Sequence, residues 1–222
     1  MDKISVIIPA YNAEKYITEA INSIRIQPLG KDAEIIVIDD GSTDNTVKIV
    51  ESMESVVLLH QAHKGPAPAR NLGIEKSSGN LIYLLDADDI SCENALDNLH
   101  NLLTEEVFAA FGLVEDFITP EISDEEKAKL SVRPQPYGGQ LTGGSLIKKS
   151  AFGTVGKFKE DYLAAETVDW SIRFRESGLK QAETSEIVLK RRIHPTSSGR
   201  LNRQSQLKDY AAILRARMKM KH

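Results

Sequence analysis

Three carboxylates within four residues, Asp86, Asp88 and Asp89, follow an apolar segment, residues 81–85, near the middle of the chain. Carboxylates this close together repel one another, and a divalent cation relieves the repulsion by binding their oxygens. The alternative is a helix cap, in which Asp88 or Asp89 receives hydrogen bonds from a helix predicted over residues 93–103. So short a motif fits both interpretations, and the remainder of the chain must decide between them.

Two further polar groups stand where predicted strands end, Tyr11 with Asn12 and Asp39 with Asp40. The carboxyl ends of parallel strands share one edge of a sheet, where α/β proteins bind ligands, so the three groups should converge on one crevice. There Asp39 and Asp40 could accept hydrogen bonds from a base or ribose, and Arg70 offers a fork of donors. A cation on the third group would bridge a diphosphate. The pattern therefore predicts a nucleotide diphosphate site.

Alternating strand and helix patterns position these groups. The short links between them predict right-handed crossovers and a parallel sheet, with the segment before Asp86 as a central strand buried on both faces. No G-x-G-x-x-G follows the first strand and no P-loop motif occurs, so phosphate charge must be met by metal. The predicted strands are residues 4–8, 33–38, 56–59, 81–85, 107–116 and 187–193; the predicted helices are 14–24, 46–53, 69–76, 93–103, 149–155, 166–178 and 204–220.

The bulk composition indicates an ordinary globular protein. A chain of 222 residues with net charge −4 fits one domain and gives no support for nucleic acid as a partner. The single cysteine, Cys92, excludes an internal disulfide and suits a reducing compartment, so cytoplasm is the expected location. No apolar run reaches eighteen residues, and any membrane contact is expected to be peripheral.

The last predicted helix is basic and carries apolar residues at spacings of three and four. Docking on the domain, pairing in a homodimer and binding to an anionic membrane all remain open for it. The apolar positions are Leu207, Tyr210, Ala211, Leu214 and Met218, and the basic ones are Arg203, Lys208, Arg215, Arg217, Lys219 and Lys221.

Four segments in order, SVIIPAYN, IIVIDDGSTDNT, ARNLGI and GNLIYLLDADD, resemble the successive motifs of family 2 glycosyltransferases. The resemblance covers residues 1 to about 110 closely and the remainder more loosely through TGGSLIKKSAF, ETVDWSIRFRESG and RRIHPTSSGR. It implies an α/β nucleotide-diphospho-sugar transferase fold (GT-A, Rossmann-like) with a mostly parallel central sheet flanked by helices. The expected parts are a nucleotide-sugar-binding half (1–110), an acceptor-binding and catalytic half (111–200) and a basic helix (201–222).

The resemblance also implies roles for residues of the crevice. His194 follows the last strand, where the family often has a histidine near the metal or diphosphate. Its neighbours Arg191, Arg192 and Arg200 add a cationic lining suited to a diphosphate. The remaining roles are Pro9 and Tyr11 in the base pocket, Asp40 on the base, Arg70 near the base or diphosphate, Asp86 near the ribose or sugar, and Asp88 of the DxD motif on Mg²⁺ or Mn²⁺.

The family's mechanism is a single displacement with inversion, in which a carboxylate takes the acceptor's proton. The family usually supplies this base from an E-D pair, matched here by Glu166 followed by Thr167, and threonine is no base at neutral pH. Glu166 and Asp169 remain, and we expect Asp169, one turn into the helix beside Trp170, to be the base. Under the structural alternative Glu166 interacts with the helix dipole and Asp169 pairs with Arg173. Trp170 is expected in the core.

The expected function is therefore metal-dependent transfer of a hexose from a nucleotide diphosphate sugar, a UDP sugar in the first instance. The acceptor, whether sugar, lipid-linked or peptide, is not fixed by the sequence. Two alternatives remain: a nucleotide-sugar-binding module without turnover, which Thr167 permits, and a nucleotidyltransferase, which the lack of a glycine- and lysine-rich loop after the first strand disfavours.

Overall fold

A computed structural model describes residues 2–139, 143–162, 164–197 and 203–220, except the side chains of 203, 204, 206, 219 and 220. Within these ranges one sheet has the strand order β3-β2-β1-β4-β8-β6-β9-β5, with β7 paired to β6. The strands are β1 (Ile4–Ala10), β2 (Glu34–Asp39), β3 (Val56–His60), β4 (Leu81–Leu84), β5 (Ile90–Ser91), β6 (Val107–Phe117), β7 (Tyr137–Gly138), β8 (Ser145–Lys148) and β9 (Lys180–Arg192).

Helices cover both faces of this sheet, which gives the layered α/β architecture expected from the sequence. They are α1 (Ile17–Arg25), α2 (Thr46–Glu51), α3 (Pro66–Lys76), α4 (Ala95–His100), α5 (Asp124–Lys127), α6 (Lys149–Val155), α7 (Glu166–Glu176) and α8 (Arg203–Met220). None of these helices has the length and apolarity needed to cross a bilayer.

The first four predicted strands form the parallel part of the sheet, in the order β3-β2-β1-β4. The strands that carry the three polar groups, β1, β2 and β4, are therefore neighbours, as predicted. β1 continues two residues beyond its predicted end at Ile8. Pro9 removes only its own N–H donor from the strand pairing. The strand continues past it, because the carbonyl of Ala10 accepts a hydrogen bond from the Asp40 amide at 2.8 Å.

The second half of the sheet is mixed rather than parallel. β8 runs antiparallel to β4 and β6 antiparallel to β8, whereas β9 runs parallel to β6. β9 also begins at Lys180, seven residues before the predicted start, because its first part pairs with β6 although its side chains are largely exposed. The α/β fold class is confirmed, and the predicted all-parallel arrangement holds for the strands β3, β2, β1 and β4.

Trp170 lies in the core, as expected, on the face of the sheet that α3, α6 and α7 cover. Its side chain is fully buried among Phe152, Phe158 and Phe174, with ring centroids 4.8 to 5.8 Å away. Its indole N–H donates to the carbonyl oxygen of Gly156 at 2.7 Å, so its one polar group is satisfied. This cluster fixes α7 against the sheet.

The close approach of α3 to the sheet depends on Gly73. A Cβ atom there would lie 2.5 Å from Cγ2 of Ile7 in β1 and 2.7 Å from Cδ1 of Ile38 in β2. Both neighbours are fully buried and have little room to move. The missing side chain thus sets the depth at which α3, and with it Arg70, sits beside the crevice.

We predict that Gly73→Ala lowers the free energy of unfolding by about 1–3 kcal/mol, because the added methyl group overpacks the core. The matched control is Gly153→Ala in α6, where no atom lies within 4 Å of the new Cβ. That substitution should stabilise by up to about 1 kcal/mol through helix propensity. Urea denaturation measures both, and stabilisation of both variants would contradict the packing argument.

Candidate active site

The loops after β1 and β2 form one side of the candidate site and are tied together by hydrogen bonds. Asn12 adopts a left-handed conformation (φ 49°), its Oδ1 accepts from the Thr43 amide at 2.8 Å, and its own amide donates to Ser42 Oγ at 3.0 Å. Asp39 Oδ1 accepts from the Ser42 amide at 3.0 Å. Asn12 and Asp39 therefore lie at the crevice, and their contact with a nucleotide stays a prediction.

Asp40 is buried and anchors the loop that leads into α3. Its Oδ1 accepts from Gln61 Nε2 at 2.7 Å and from the Lys64 amide at 2.8 Å. Its Oδ2 accepts from the Gly65 amide at 2.9 Å and lies 2.9 Å from His63 Nδ1. The carboxylate already has four internal partners, so the contact with the base implied for Asp40 stays a prediction that would require the loop to rearrange.

Tyr11 presents its ring at the surface of the crevice, 46% exposed. His63 stacks on it at a centroid distance of 4.1 Å, which joins the loop after β1 to the loop after β3. Pro9 is half-buried in β1 and pairs with Ile38 of β2. The sequence carried no signal for His63, because its contact joins two loops that are distant along the chain.

Arg70 is buried at the centre of the site and bridges two carboxylates. Its Nη1 donates to Glu166 Oε1 at 2.5 Å and its Nη2 to Asp86 Oδ1 at 2.6 Å. Burial disfavours the charged guanidinium, but Asp86 and Glu166 outweigh this effect and raise the pKa of Arg70. Its donors are therefore directed to protein carboxylates, and the implied contact with base or diphosphate stays a prediction.

The turn after β4 holds two of its carboxylates at the crevice and buries the third. The side chains of Asp86 and Asp88 are 37% and 30% exposed, whereas Asp89 is buried. Asp89 Oδ1 accepts from the Arg192 amide at 2.9 Å. Burial raises the pKa of Asp89, and the Asp88 and Asp86 charges add to the rise. Asp89 therefore supports the turn and leaves Asp86 and Asp88 for binding.

Arg192 supports the same turn instead of lining a diphosphate, which corrects the expectation from the sequence. Its guanidinium is buried, with Nε donating to the Asp88 carbonyl at 2.8 Å and Nη2 to Glu19 Oε2 at 2.5 Å. It also lies over the rings of Tyr16 and Phe117, 4.6 and 4.7 Å from their centroids. These contacts satisfy the charge inside the protein and fix the backbone at Asp88.

His194 lies beside Asp88, and the metal contact expected for these two side chains stays a prediction. Its Nε2 lies 3.0 Å from Asp88 Oδ2, and its Nδ1 lies 2.9 Å from Thr196 Oγ1. The Thr196 contact on Nδ1 orients the ring and directs Nε2 toward Asp88, which is the kind of support found behind metal-binding histidines. The described residues bring no three His, Cys, Asp or Glu side chains to one point. A cation here would thus need substrate oxygens and water as further ligands, as Mg²⁺ commonly does.

The two candidate bases occupy different surroundings on α7. Glu166 begins the helix, is 5% exposed and pairs with Arg70, whose other partner is Asp86 at the crevice. Asp169 is 2% exposed, and its oxygens lie 2.6 Å from Arg173 Nε and 3.3 Å from Lys159 Nζ. The ion pair with Arg173 expected under the structural alternative is therefore present. The choice of Asp169 as base stays a prediction, and these contacts argue against it.

The structure thus brings most of the sequence-predicted residues to one edge of the sheet. Arg200 lies outside the described residues, and Asp169 is held in its ion pairs rather than in the crevice. The residues at or beside the crevice are Pro9, Tyr11, Asn12, Asp39, Asp40, Arg70, Asp86, Asp88, Glu166 and His194.

A sequence model described as glycosyl transferase family 2 matches residues 5–159. An uncharacterized glycosyltransferase of Escherichia coli K12, YibD, is 29% identical over 91% of this chain and 65% of its own length. A Campylobacter jejuni protein named as a GalNAc(5)-diNAcBac-PP-undecaprenol beta-1,3-glucosyltransferase is 31% identical over 79% of this chain and 61% of its own length. The chain thus spans under two thirds of the length of these relatives.

Among solved structures, the Staphylococcus aureus TarS fragment 1–349 superposes with a TM-score of 0.70 at 21% identity. The match covers 86% of this chain and 60% of that fragment. The same fragment in complex with UDP-GlcNAc superposes with a TM-score of 0.67. At this level of identity the likeness shows the fold, which is the GT-A fold expected from the sequence.

We predict that Asp169→Asn lowers the free energy of unfolding by about 2 kcal/mol or more, because buried ion pairs with Arg173 and Lys159 are lost. The figure lies below the usual cost of breaking a buried pair since Lys159 is half-exposed. Asp124→Asn is the control: its side chain is fully exposed, and no measurable change is expected. Unaltered stability of Asp169→Asn in urea denaturation would show that the network is dispensable.

Proposed function

Because this chain belongs to glycosyl transferase family 2, we propose that it transfers a sugar from a uridine diphosphate sugar to a hydroxyl acceptor with inversion. The observation that carries the proposal is the carboxylate crevice at the ends of β1, β2 and β4, where Arg70 joins Asp86 to Glu166. The complexes of the TarS fragment with UDP and UDP-GlcNAc support the choice of donor.

The base of the nucleotide would bind beside Tyr11 and His63, whose stacked rings provide an aromatic platform. Asp39 is the better candidate than Asp40 to accept from a base N–H, because it carries fewer internal hydrogen bonds. Asp40 accepts from the Gln61 side chain and from two backbone amides of the loop after β3. Within the described part of the chain, Asp39 Oδ2 contacts only His60 Nδ1, at 3.4 Å. Asp86 would then lie near the ribose or the sugar.

Asp88 and His194 would hold Mg²⁺ or Mn²⁺ at the diphosphate. When bound, the cation would supply Lewis-acid stabilisation of the negative charge that grows on the leaving UDP. The Arg192 contact to the Asp88 carbonyl and the Thr196 contact to His194 preset both ligands. That arrangement reduces the reorganisation needed when charge develops.

Glu166 is our proposed general base. The acceptor oxygen attacks the anomeric carbon opposite UDP, its bond to that carbon forms as the bond to the diphosphate oxygen breaks, and its proton passes to the Glu166 carboxylate. Arg70 orients this carboxylate through one oxygen. Asp169 is less suited, because Arg173 and Lys159 already occupy both of its oxygens away from Asp86.

A second candidate function is nucleotide-sugar binding without turnover, which Thr167 favours because it replaces the carboxylate that the family usually has at this position. Release of UDP from a panel of UDP sugars in the presence of Mn²⁺ distinguishes the two. Release above the uncatalysed rate supports the transferase, and tight donor binding without release supports the binding module.

We predict that Asp88→Asn abolishes the stimulation of UDP binding by Mn²⁺, because it removes the charged ligand. Calorimetry with UDP, with and without Mn²⁺, measures the effect, and Asp32→Asn at an exposed loop position is the control. Mn²⁺ stimulation equal to that of the unsubstituted chain would refute the assignment of Asp88.

We predict that Glu166→Gln lowers kcat about a hundredfold or more at saturating donor while UDP affinity is retained. Glutamine keeps an oxygen for the Arg70 hydrogen bond, so the effect reports on proton transfer and not on the ion pair alone. Glu75→Gln, at an exposed ion pair, should have normal turnover. Retained turnover in Glu166→Gln together with loss in Asp169→Asn would restore Asp169 as the base.

A further inference from the structure

We propose that the outer surface of α8 is a docking surface for an anionic lipid bilayer. The surface has two parts, which we name by their residues. The apolar stripe consists of Leu207, Leu214 and Met218, and the basic stripe consists of Lys208 and Arg215. None of these five residues belongs to the crevice described above.

The inner face of α8 already accounts for its attachment to the domain. Ile213 is 2% exposed, Asp209 Oδ2 accepts from the Ala164 amide at 2.9 Å, and Arg217 forms an ion pair with Glu176 of α7. The positions 209, 213 and 217 are four residues apart and share one face of the helix. The predicted docking of this helix on the domain is thereby observed, and it uses other residues than the apolar stripe.

The apolar stripe is left exposed by this docking. Leu207, Leu214 and Met218 are 62%, 64% and 68% exposed, and their spacing of seven and four residues aligns them along the helix. Leu214 and Met218 are the two most exposed large apolar side chains among the described residues, and Leu207 equals Ile26 in exposure. Three such side chains in a row are an apolar surface that water solvates poorly.

The charge beside the apolar stripe indicates which partner fits this surface. Lys208 and Arg215 are exposed, seven residues apart, and each follows a stripe leucine by one position, so they form a row beside the apolar stripe. The whole chain carries a net charge of −4, which makes this basic row a local exception. Apolar side chains flanked by cations match the boundary between acyl chains and anionic headgroups of a bilayer.

A second copy of the chain fits this surface less well. Stable protein interfaces bury about 20–30 residues on each side, and the apolar stripe offers three. Two copies that pack stripe against stripe would also bring two basic rows together, and like charges repel. A bilayer needs no complementary side chains and tolerates a narrow apolar strip because insertion is shallow.

The test is flotation of the full chain with vesicles of phosphatidylcholine containing about a third phosphatidylglycerol, and with vesicles of phosphatidylcholine alone. We expect the chain to float with the anionic vesicles, and binding to weaken about fivefold for each basic residue removed. Two variants are compared with the unsubstituted chain. The apolar variant combines Leu207→Gln, Leu214→Gln and Met218→Gln, and the basic variant combines Lys208→Gln and Arg215→Gln. All these positions are exposed, and circular dichroism checks that the variants fold.

Matched controls carry the same changes elsewhere on the surface. The apolar control removes three exposed apolar side chains through Ile26→Gln, Val57→Gln and Val132→Gln. The basic control removes two exposed charges through Lys31→Gln and Lys48→Gln. Both controls should float like the unsubstituted chain. The proposal is overturned if the chain stays in the unbound fraction with both vesicle types. It is also overturned if the chain floats equally with anionic and neutral vesicles. Self-association that the apolar variant abolishes, without flotation, would instead identify a second copy as the occupant.

Discussion

The site depends on one buried guanidinium. Arg70 is carried into the interior by α3, and a buried charge is tolerated only when opposite charges and hydrogen bonds surround it. Its partners come from two distant parts of the chain, Asp86 after β4 and Glu166 at the start of α7. The pairing therefore joins the half of the fold that would bind a nucleotide to the half that would supply the base. Loss of Arg70 would leave two carboxylates without a counter-charge, whereas loss of Asp86 or Glu166 would leave one balanced ion pair with unused guanidinium donors.

A second layer of buried groups holds the more exposed carboxylates in place. Asp89 and Arg192 are buried and fix the backbone that presents Asp88. Asp40 has the same relation to the loop beneath His63. Side chains presented from such a framework are preorganised, so little energy is lost to reorientation when a charged ligand arrives. Burial and internal hydrogen bonds thus distinguish supporting residues from binding residues of the same type.

Local patterns predicted the first half of the fold well. Short links and buried strand patterns were enough to make β1, β2 and β4 neighbours, and so to bring Tyr11, Asp39 and Asp88 to one edge. They could not predict the partners of Arg70, because Glu166 lies 96 residues away in sequence. They also could not separate Glu166 from Asp169, since a spacing of three allows one helical face to hold both. The Lys159 contact with Asp169, a product of tertiary packing, argues against Asp169, and the choice of base stays a prediction.

The position of α8 relates the proposed bilayer surface to the crevice. Asp209 holds the Ala164 amide, two residues before Glu166, and Arg217 pairs with Glu176 at the far end of the same helix, α7. The helix that presents the apolar stripe outward is therefore fixed both to the segment just before Glu166 and to the far end of α7. A surface bound to α8 would be held at a constant orientation to the proposed base, because both contacts must break before the two helices can move apart. Rigid attachment of this kind restricts the directions from which an acceptor can approach.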